Sequence, residues 1–434
     1  MSTKQRIPRS SYFVHEGRIL HAESVPLDEI ADHVGTPAYV YSAASVHDAY
    51  RAIDAALADV PHLVAYAVKA NGNLALLSRL AGWGSGADIV SGGELARALK
   101  AGFSPDKVVF SGVGKTDAEI RMALEARIRS LHVESAAEID AVESIAAELG
   151  VVAHIALRVN PNVDAATHPY ISTGLRTSKF GIDIGIAREL IPRLVKSEHV
   201  RLEGVACHIG SMVLSPEPLG EAVAIIAEFA AECAARGAPM TTIDAGGGWP
   251  ILYGNEGADA QSHAVFGRAL IDGIKRGGAA DLGLTLIVEP GRALVGDAGV
   301  LLTRVVYVKE QVGKRFVIVD ASMSELIRPA LYGAYHAIVP VDFDPNANLP
   351  ETPADIVGPV CESSDFFAHD RLLPPVKRGD LLAIRGAGAY TATMASNYNS
   401  RPMSPEVLVE GGGFQVVRTR QKLEDLWRDE RGID

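Results

Sequence analysis

From residue 63 to residue 289 the sequence repeats one grammar. Short β-branched or apolar runs, LVAYAV (63–68), ADIV (87–90), KVVF (107–110), SLHV (130–133), VAHIALRV (152–159), EGVACH (203–208), TTIDA (241–245) and TLIVE (285–289), alternate with Ala-, Leu-, Glu- and Arg-rich stretches of helical length such as GELARALKA, AAEIDAVESIAAEL and PLGEAVAIIAEFAAECAAR. Strands that alternate with helices belong to βα units around a parallel sheet. About eight such units in roughly 230 residues match the size of a TIM-type (β/α)8 barrel, and a doubly wound open sheet is the structural alternative.

After residue 292 the grammar changes. GVLLTRVVYVKE, KRFVIVD, DIVGPVCE, DLLAIRG, EVLVEG and GFQVVRTR follow one another without long helices, separated by Gly-, Pro- and Asp-rich turns. Such a run reads as a mostly antiparallel β-sandwich or β-barrel domain. The segment RSSYFVHEGRIL near the amino terminus can add a strand or hairpin to it. The expected organisation is a barrel over 38–291, set inside a discontinuous β-domain made of 1–37 and 292–434.

Composition narrows the partners. The 434 residues are 48% hydrophobic and carry 53 acidic against 41 basic side chains, a formal charge of -12. With no basic block, neither nucleic acid nor an anionic membrane is the expected partner; a small molecule is. Cys207, Cys233 and Cys361 lack the spacing of a disulfide framework or a structural zinc site, so no metal is expected. The polar start MSTKQRIPRSS and the absence of any apolar run near the ~20 residues that span a bilayer point to a cytoplasmic protein.

In a barrel the active site forms at the carboxyl ends of the strands. The unusual residues of this chain fall there. Lys69 ends LVAYAV, Asp88 lies in ADIV, His208 closes EGVACH, Gly246, Gly247 and Gly248 follow TTIDA, and Glu289 opens EPGR. A lysine after an apolar run either snorkels to water or is held for imine chemistry. A lone histidine at a strand end is most often a hydrogen-bonded scaffold residue. A triple glycine either makes a plain turn or exposes N–H groups to a phosphate. No GxxxxGK[ST] motif occurs, so P-loop hydrolysis of a nucleotide has no support. An imine-forming lysine, a phosphate cradle and a carboxylate for a ring nitrogen together suggest pyridoxal 5'-phosphate (PLP).

YAVKAN, ADIVSGGE, ACHIGS, DAGGG, VEPGR, GPVCESSD and NYNSRP, in this order and spacing, resemble the fold-type III PLP-dependent decarboxylases. RVNPNVDAATHPYISTGLRTSKFGI and RPALYGAYH resemble more narrowly the branch of that family acting on diaminopimelate. The resemblance runs from about residue 12 to 420. It implies that Lys69 carries the cofactor, that His208 stacks on its ring, and that Glu289 faces the ring nitrogen. It places Ser211, the three glycines, the backbone at Gly291 and Arg292, and the hydroxyl of Tyr390 around the phosphate, with Asp88 behind the lysine. Arg292, Arg328, Tyr332, Glu362 and Tyr390 would contact an amino-acid substrate, and Cys361 would return a proton to its carbon. On the same ground the enzyme is expected to be a homodimer with shared sites, converting meso-2,6-diaminopimelate to L-lysine and CO2 in lysine biosynthesis. Met212 stands where the family commonly has glutamine, which leaves room for a relative acting on ornithine, arginine, D-lysine, D-ornithine or carboxynorspermidine. A racemase would lack GPVCESSD. A non-catalytic regulator would lack cofactor residues that are present here.

Overall fold

The computed structural model describes residues 11–164, 179–256, 261–347 and 349–432. The THPYISTG part of the diaminopimelate-like segment lies outside the described residues. By contact the chain divides into two compact units, one of Met1–Val46, Ile251–Asp259 and Leu294–Asp434, the other of His47–Pro250 and Ala260–Ala293.

The second of these units is a closed parallel barrel. Its eight strands in chain order are His62–Ala67, Gly86–Ile89, Val108–Phe110, Ser130–Val133, Ala153–Asn160, Val200–Ala206, Thr242–Asp244 and Thr285–Val288. The last pairs with the first through Leu286 to Val288 against His62 to Val64, and the fourth with the fifth, so the eight strands close on themselves and the open doubly wound sheet is excluded; the two-residue strand Ile182–Asp183 adds to the fifth. Leu63, Ala65, Val109 and Ile287 form one buried layer inside. Four of the helices that follow are capped by the polar turns before them: Asn73, Ser91, Thr116 and Ser135 each accept a backbone N–H of the helix they open. Thr116 and Glu119 complete a reciprocal capping box.

The other unit is built on a nine-stranded, mostly antiparallel sheet, in which Gly299–Gln311 is central and pairs with Lys314–Val319, Leu381–Arg385 and Ala38–Ser42. Parallel exceptions are Lys314–Val319 with Thr352–Val357, and Glu406–Glu410 with Ala38–Ser42. Its core joins Phe13, Leu20, Leu27 and Ile30 to Val40, Val300, Leu302, Val407 and Val409.

Several expectations need adjustment. Residues 38–46 belong with the β unit rather than the barrel, because Ala38–Ser42 is wholly buried between two strands of the nine-stranded sheet. Residues 251–259 group there too. The early hairpin, Phe13–Glu16 with Ile19–Ala22, lies in the β unit, where it forms a three-stranded sheet of its own with Val25–Pro26. DIVGPVCE is strand only to Val357; GPVCE is a turn. A strand at Phe366–Leu373 has polar His369, Asp370 and Arg371 in its middle, which hides it from a hydrophobic pattern.

Candidate active site

The carboxyl ends of the barrel strands bring together Lys69, Asp88, His208, Ser211, Gly246, Gly247, Gly248, Glu289, Gly291 and Arg292. Lys69 does not end a strand: it sits in the one-turn helix Val68–Ala70 that follows the first. Its Nζ lies 2.5 Å from Oδ2 of the fully buried Asp88, while its side chain keeps 38% exposure, so the amine is oriented by a counter-ion yet reachable. The second strand, by placing Asp88 inside, sets that geometry.

The glycine turn packs backbone on backbone. A Cβ on Gly246 would meet the Cys207 carbonyl oxygen at 2.4 Å, and one on Gly247 would meet the Glu289 carbonyl oxygen at 2.4 Å. Gly248 has φ 98°. Glycine is the residue that fits these positions. Gly247 N–H donates to His208 Nδ1 at 3.1 Å, which fixes the imidazole proton on Nε2. Arg292, buried at the start of the short helix Arg292–Val295, donates from Nη2 to Ser211 Oγ at 3.2 Å. Gly291, also buried, precedes it. Met212 holds φ 61° directly after Ser211.

Below this layer lies a group of residues that the motifs did not single out. Glu289 stands beside Ser111, His132 and Asp244, all buried. Ser111 Oγ is 3.3 Å from Glu289 Oε1 and 3.1 Å from His132 Nδ1, and His132 Nε2 is 3.9 Å from Asp244 Oδ2. Burial first, and then the neighbouring charges of Asp244 and Asp88, push the Glu289 carboxyl well above its ordinary range. Burial likewise pushes Asp244 up to about 7, against the Gly246 N–H that it accepts at 2.7 Å. Desolvation drops both His132 and His208 to about 3, so each is neutral at pH 7.

Two buried ion pairs hold the loops above the third to fifth strands. Lys115 pairs with Glu138 at 2.7 Å and also donates to the carbonyls of Gly112 and His132. Arg158 pairs with Glu134 at 2.8 Å, and Glu134 further accepts the N–H groups of Gly112 and Gly181. Ser111 in FSGVGK and Asp244 before the triple glycine could have been found from their position at strand ends; His132, inside a strand, gave no such signal.

The remaining site residues lie in the β unit, on three segments. Arg328 and Tyr332 bound the short helix Arg328–Tyr332. Arg328 is buried: its Nη1 donates to His336 Nε2 at 2.8 Å, and its guanidinium covers the Tyr253 ring at 4.7 Å. His336 Nδ1 donates to the Arg385 carbonyl, so the Nε2 lone pair accepts from Arg328. Cys361 and Glu362 are exposed on the turn after Thr352–Val357, where the Cys361 N–H donates to Asn399 Oδ1 at 2.9 Å. Tyr390, half-buried with φ 55°, follows the strand Leu381–Arg385.

Comparison with known proteins agrees with this arrangement. The family model for the pyridoxal-dependent decarboxylase, pyridoxal binding domain, matches residues 43–296. The diaminopimelate decarboxylase of Neisseria meningitidis serogroup A is 47% identical over 412 residues, covering 95% of this chain and 98% of that protein. Among solved structures, the diaminopimelate decarboxylase of Helicobacter pylori complexed with L-lysine superposes with a TM-score of 0.88 at 43% identity, covering 93% of this chain and 99% of that one. That of M. jannaschii, also in complex with L-lysine, gives a TM-score of 0.91 at 37% identity, covering 97% of each chain. The chain belongs to the pyridoxal-dependent decarboxylase family, among the diaminopimelate decarboxylases.

Proposed function

We propose that this chain is a PLP-dependent carboxy-lyase that converts meso-2,6-diaminopimelate to L-lysine and CO2. The observation that carries the reading is the gathering of Lys69, Asp88, His208, Glu289 and the Gly246–Gly248 turn at one end of a closed barrel. It is supported by likeness to diaminopimelate decarboxylases over nearly the full chain.

The barrel residues fit the cofactor. A primary amine is held at the mouth beside a close-packed glycine turn, and a buried carboxylate oxygen, Asp88 Oδ1, has no hydrogen-bond partner among the described residues. Buried polar atoms of that kind are rare unless a ligand or water completes them. When bound, PLP supplies an electron sink for the bond that breaks as CO2 leaves.

The chain's own residues supply holding and orientation. Lys69 Nζ is the amine that would hold the cofactor, and Asp88 keeps that nitrogen aimed. The neutral imidazole of His208, tied by Gly247, offers a flat face for the ring. Glu289 sets a carboxylate against the ring nitrogen. Ser211, Gly246–Gly248, the backbone at Gly291, Arg292 and Tyr390 donate to the phosphate. Arg292, Arg328, Tyr332, Glu362 and Tyr390 hold the substrate's carboxylate and distal amine, arginine matching carboxylate as a planar fork. Cys361 returns a proton to the substrate carbon. We further propose that the active species is a cytoplasmic homodimer whose sites draw on both subunits; no helix among the described residues is long and apolar enough to cross a membrane.

The test is release of labelled CO2 from carboxyl-labelled meso-diaminopimelate by PLP-loaded protein, with Lys69→Ala as the paired control. Stoichiometric CO2 and lysine from the wild type, and none from Lys69→Ala, is the expected result. Equal release from both would remove the lysine from the reaction.

A further inference from the structure

Ser111, His132 and Asp244 touch none of the surfaces assigned above to cofactor or substrate, yet they surround Glu289. Their hydrogen-bond arithmetic is constrained. The Ser111 hydroxyl has one proton and two neighbours, His132 Nδ1 at 3.1 Å and Glu289 Oε1 at 3.3 Å. A Glu289 carboxylate can only accept, so the hydroxyl proton points to it, and Ser111 Oγ must in turn accept from His132 Nδ1–H. A neutral imidazole carries one N–H, so Nε2 is then bare, 3.9 Å from Asp244 Oδ2. A bare nitrogen facing a carboxylate is unfavourable, whereas one facing a carboxylic acid can accept its proton. Asp244 Oδ1 already accepts from Gly246 N–H, and Oδ2 is buried with no partner among the described residues.

We propose that Asp244, His132, Ser111 and Glu289 form a proton relay that decides which of two buried carboxyls is charged, and that Ser111 and His132 are thereby positioning residues for Glu289. In one state Glu289 is the carboxylate and Asp244 the acid. In the other, the Asp244 proton passes to His132 Nε2, the Nδ1 proton passes to Ser111 Oγ, and the Ser111 proton passes to Glu289 Oε1. Three O–H or N–H bonds break and three form, one proton moves in net from Asp244 to Glu289, and the total charge is unchanged. The 3.9 Å contact is the one that shortens for transfer.

The charged groups facing the relay come from every neighbouring strand end. Asp244 and Glu289 face each other directly, Asp88 faces both, Lys69 faces Glu289, Arg158 faces Glu289, Asp244 and His132, and Lys115 faces His132. Burial and the charges of Asp244 and Asp88 favour the Glu289 acid, the cations Lys69 and Arg158 oppose them, and burial keeps His132 neutral, as a relay requires. A protonated ring nitrogen opposite Glu289 selects the first state. The relay therefore couples ring protonation to a carboxyl that the cofactor does not touch. It rests on the functional reading above.

The test uses holoprotein reconstituted with ring-15N-labelled PLP. The 15N shift of the ring nitrogen and the dissociation constant from equilibrium dialysis are followed from pH 6 to 9 in wild type, Ser111→Ala, Ser111→Thr and His132→Leu. In Ser111→Ala and His132→Leu the ring nitrogen is expected to lose its proton at lower pH than in wild type. Cofactor binding is expected to weaken by about tenfold, the scale of one hydrogen bond to a charged group. Ser111→Thr, which keeps the hydroxyl, restores both. In wild-type holoprotein labelled at histidine, His132 is expected as the Nδ1–H tautomer, a readout that needs no variant to fold. Ring shifts in Ser111→Ala equal to those of wild type, or His132 found as the Nε2–H tautomer while the ring nitrogen is protonated, would overturn the relay alone. A wild type that retains no PLP on dialysis would overturn both the relay and the functional reading beneath it.

Discussion

Lys69 must be both tethered and accessible, and Asp88 resolves the two demands by gripping Nζ from a fully buried position while the amine keeps contact with solvent. Lys69→Ala is expected to abolish turnover and the visible absorbance of the bound cofactor, as read by spectrophotometry after dialysis. Persisting absorbance would place the covalent attachment elsewhere. A second consequence at this scale concerns pH. His132 and His208 titrate near 3 in the folded protein and near 6.5 when unfolded, so below about 6.5 the unfolded chain takes up protons that the folded one refuses. Their contribution to stability is whole above that pH and is lost as pH falls toward 3, by on the order of 1 kcal/mol per pH unit for each. The urea midpoint of the apoprotein is expected to fall between pH 6.5 and 4, and less steeply in His208→Asn. Identical slopes would show that His208 is not held neutral.

At the scale of elements, the glycine turn is a packing device. A methyl on Gly247 would strike the Glu289 carbonyl and displace the strand end that carries the carboxylate. Gly247→Ala is expected to weaken PLP binding by tenfold or more, at about 1.4 kcal/mol per decade, while Gly114→Ala, where a Cβ meets nothing within 4 Å, leaves it unchanged. Lys115→Ala is expected to destabilise the fold by about 3–5 kcal/mol in urea unfolding, because it strands the buried Glu138 carboxylate and frees two carbonyls. A loss below 1 kcal/mol would show that water replaces the ammonium. The barrel elements were legible because apolar runs and helical stretches carry their periods locally, and the motifs marked Lys69, His208, Gly246–Gly248 and Glu289 at their ends. Lys115 with Glu138, and Arg158 with Glu134, were not: partners 23 and 24 residues apart meet only when successive barrel loops stand side by side. His132 was illegible for the same reason, since its neighbours Ser111, Asp244 and Glu289 come from three other strands.

On the scale of the whole molecule, the residues proposed for the cofactor lie in the barrel unit except Tyr390, which the β unit carries with Arg328, Tyr332, Cys361 and Glu362. The β unit was harder to read than the barrel. Ala38–Ser42 lies 250 residues or more from its sheet partners, and Phe366–Leu373 is polar in its middle. Sedimentation of holoprotein at assay concentration is expected to give a dimer that carries the activity, and a fully active monomer would contradict sites shared between subunits. The most direct measurement is mass-spectrometric product analysis after incubating PLP-loaded protein separately with meso-diaminopimelate, D-lysine, L-ornithine and L-arginine. L-lysine formed from meso-diaminopimelate, with no diamine from the other three, is the expected result; a diamine from any of those, without lysine from meso-diaminopimelate, would contradict the assigned substrate.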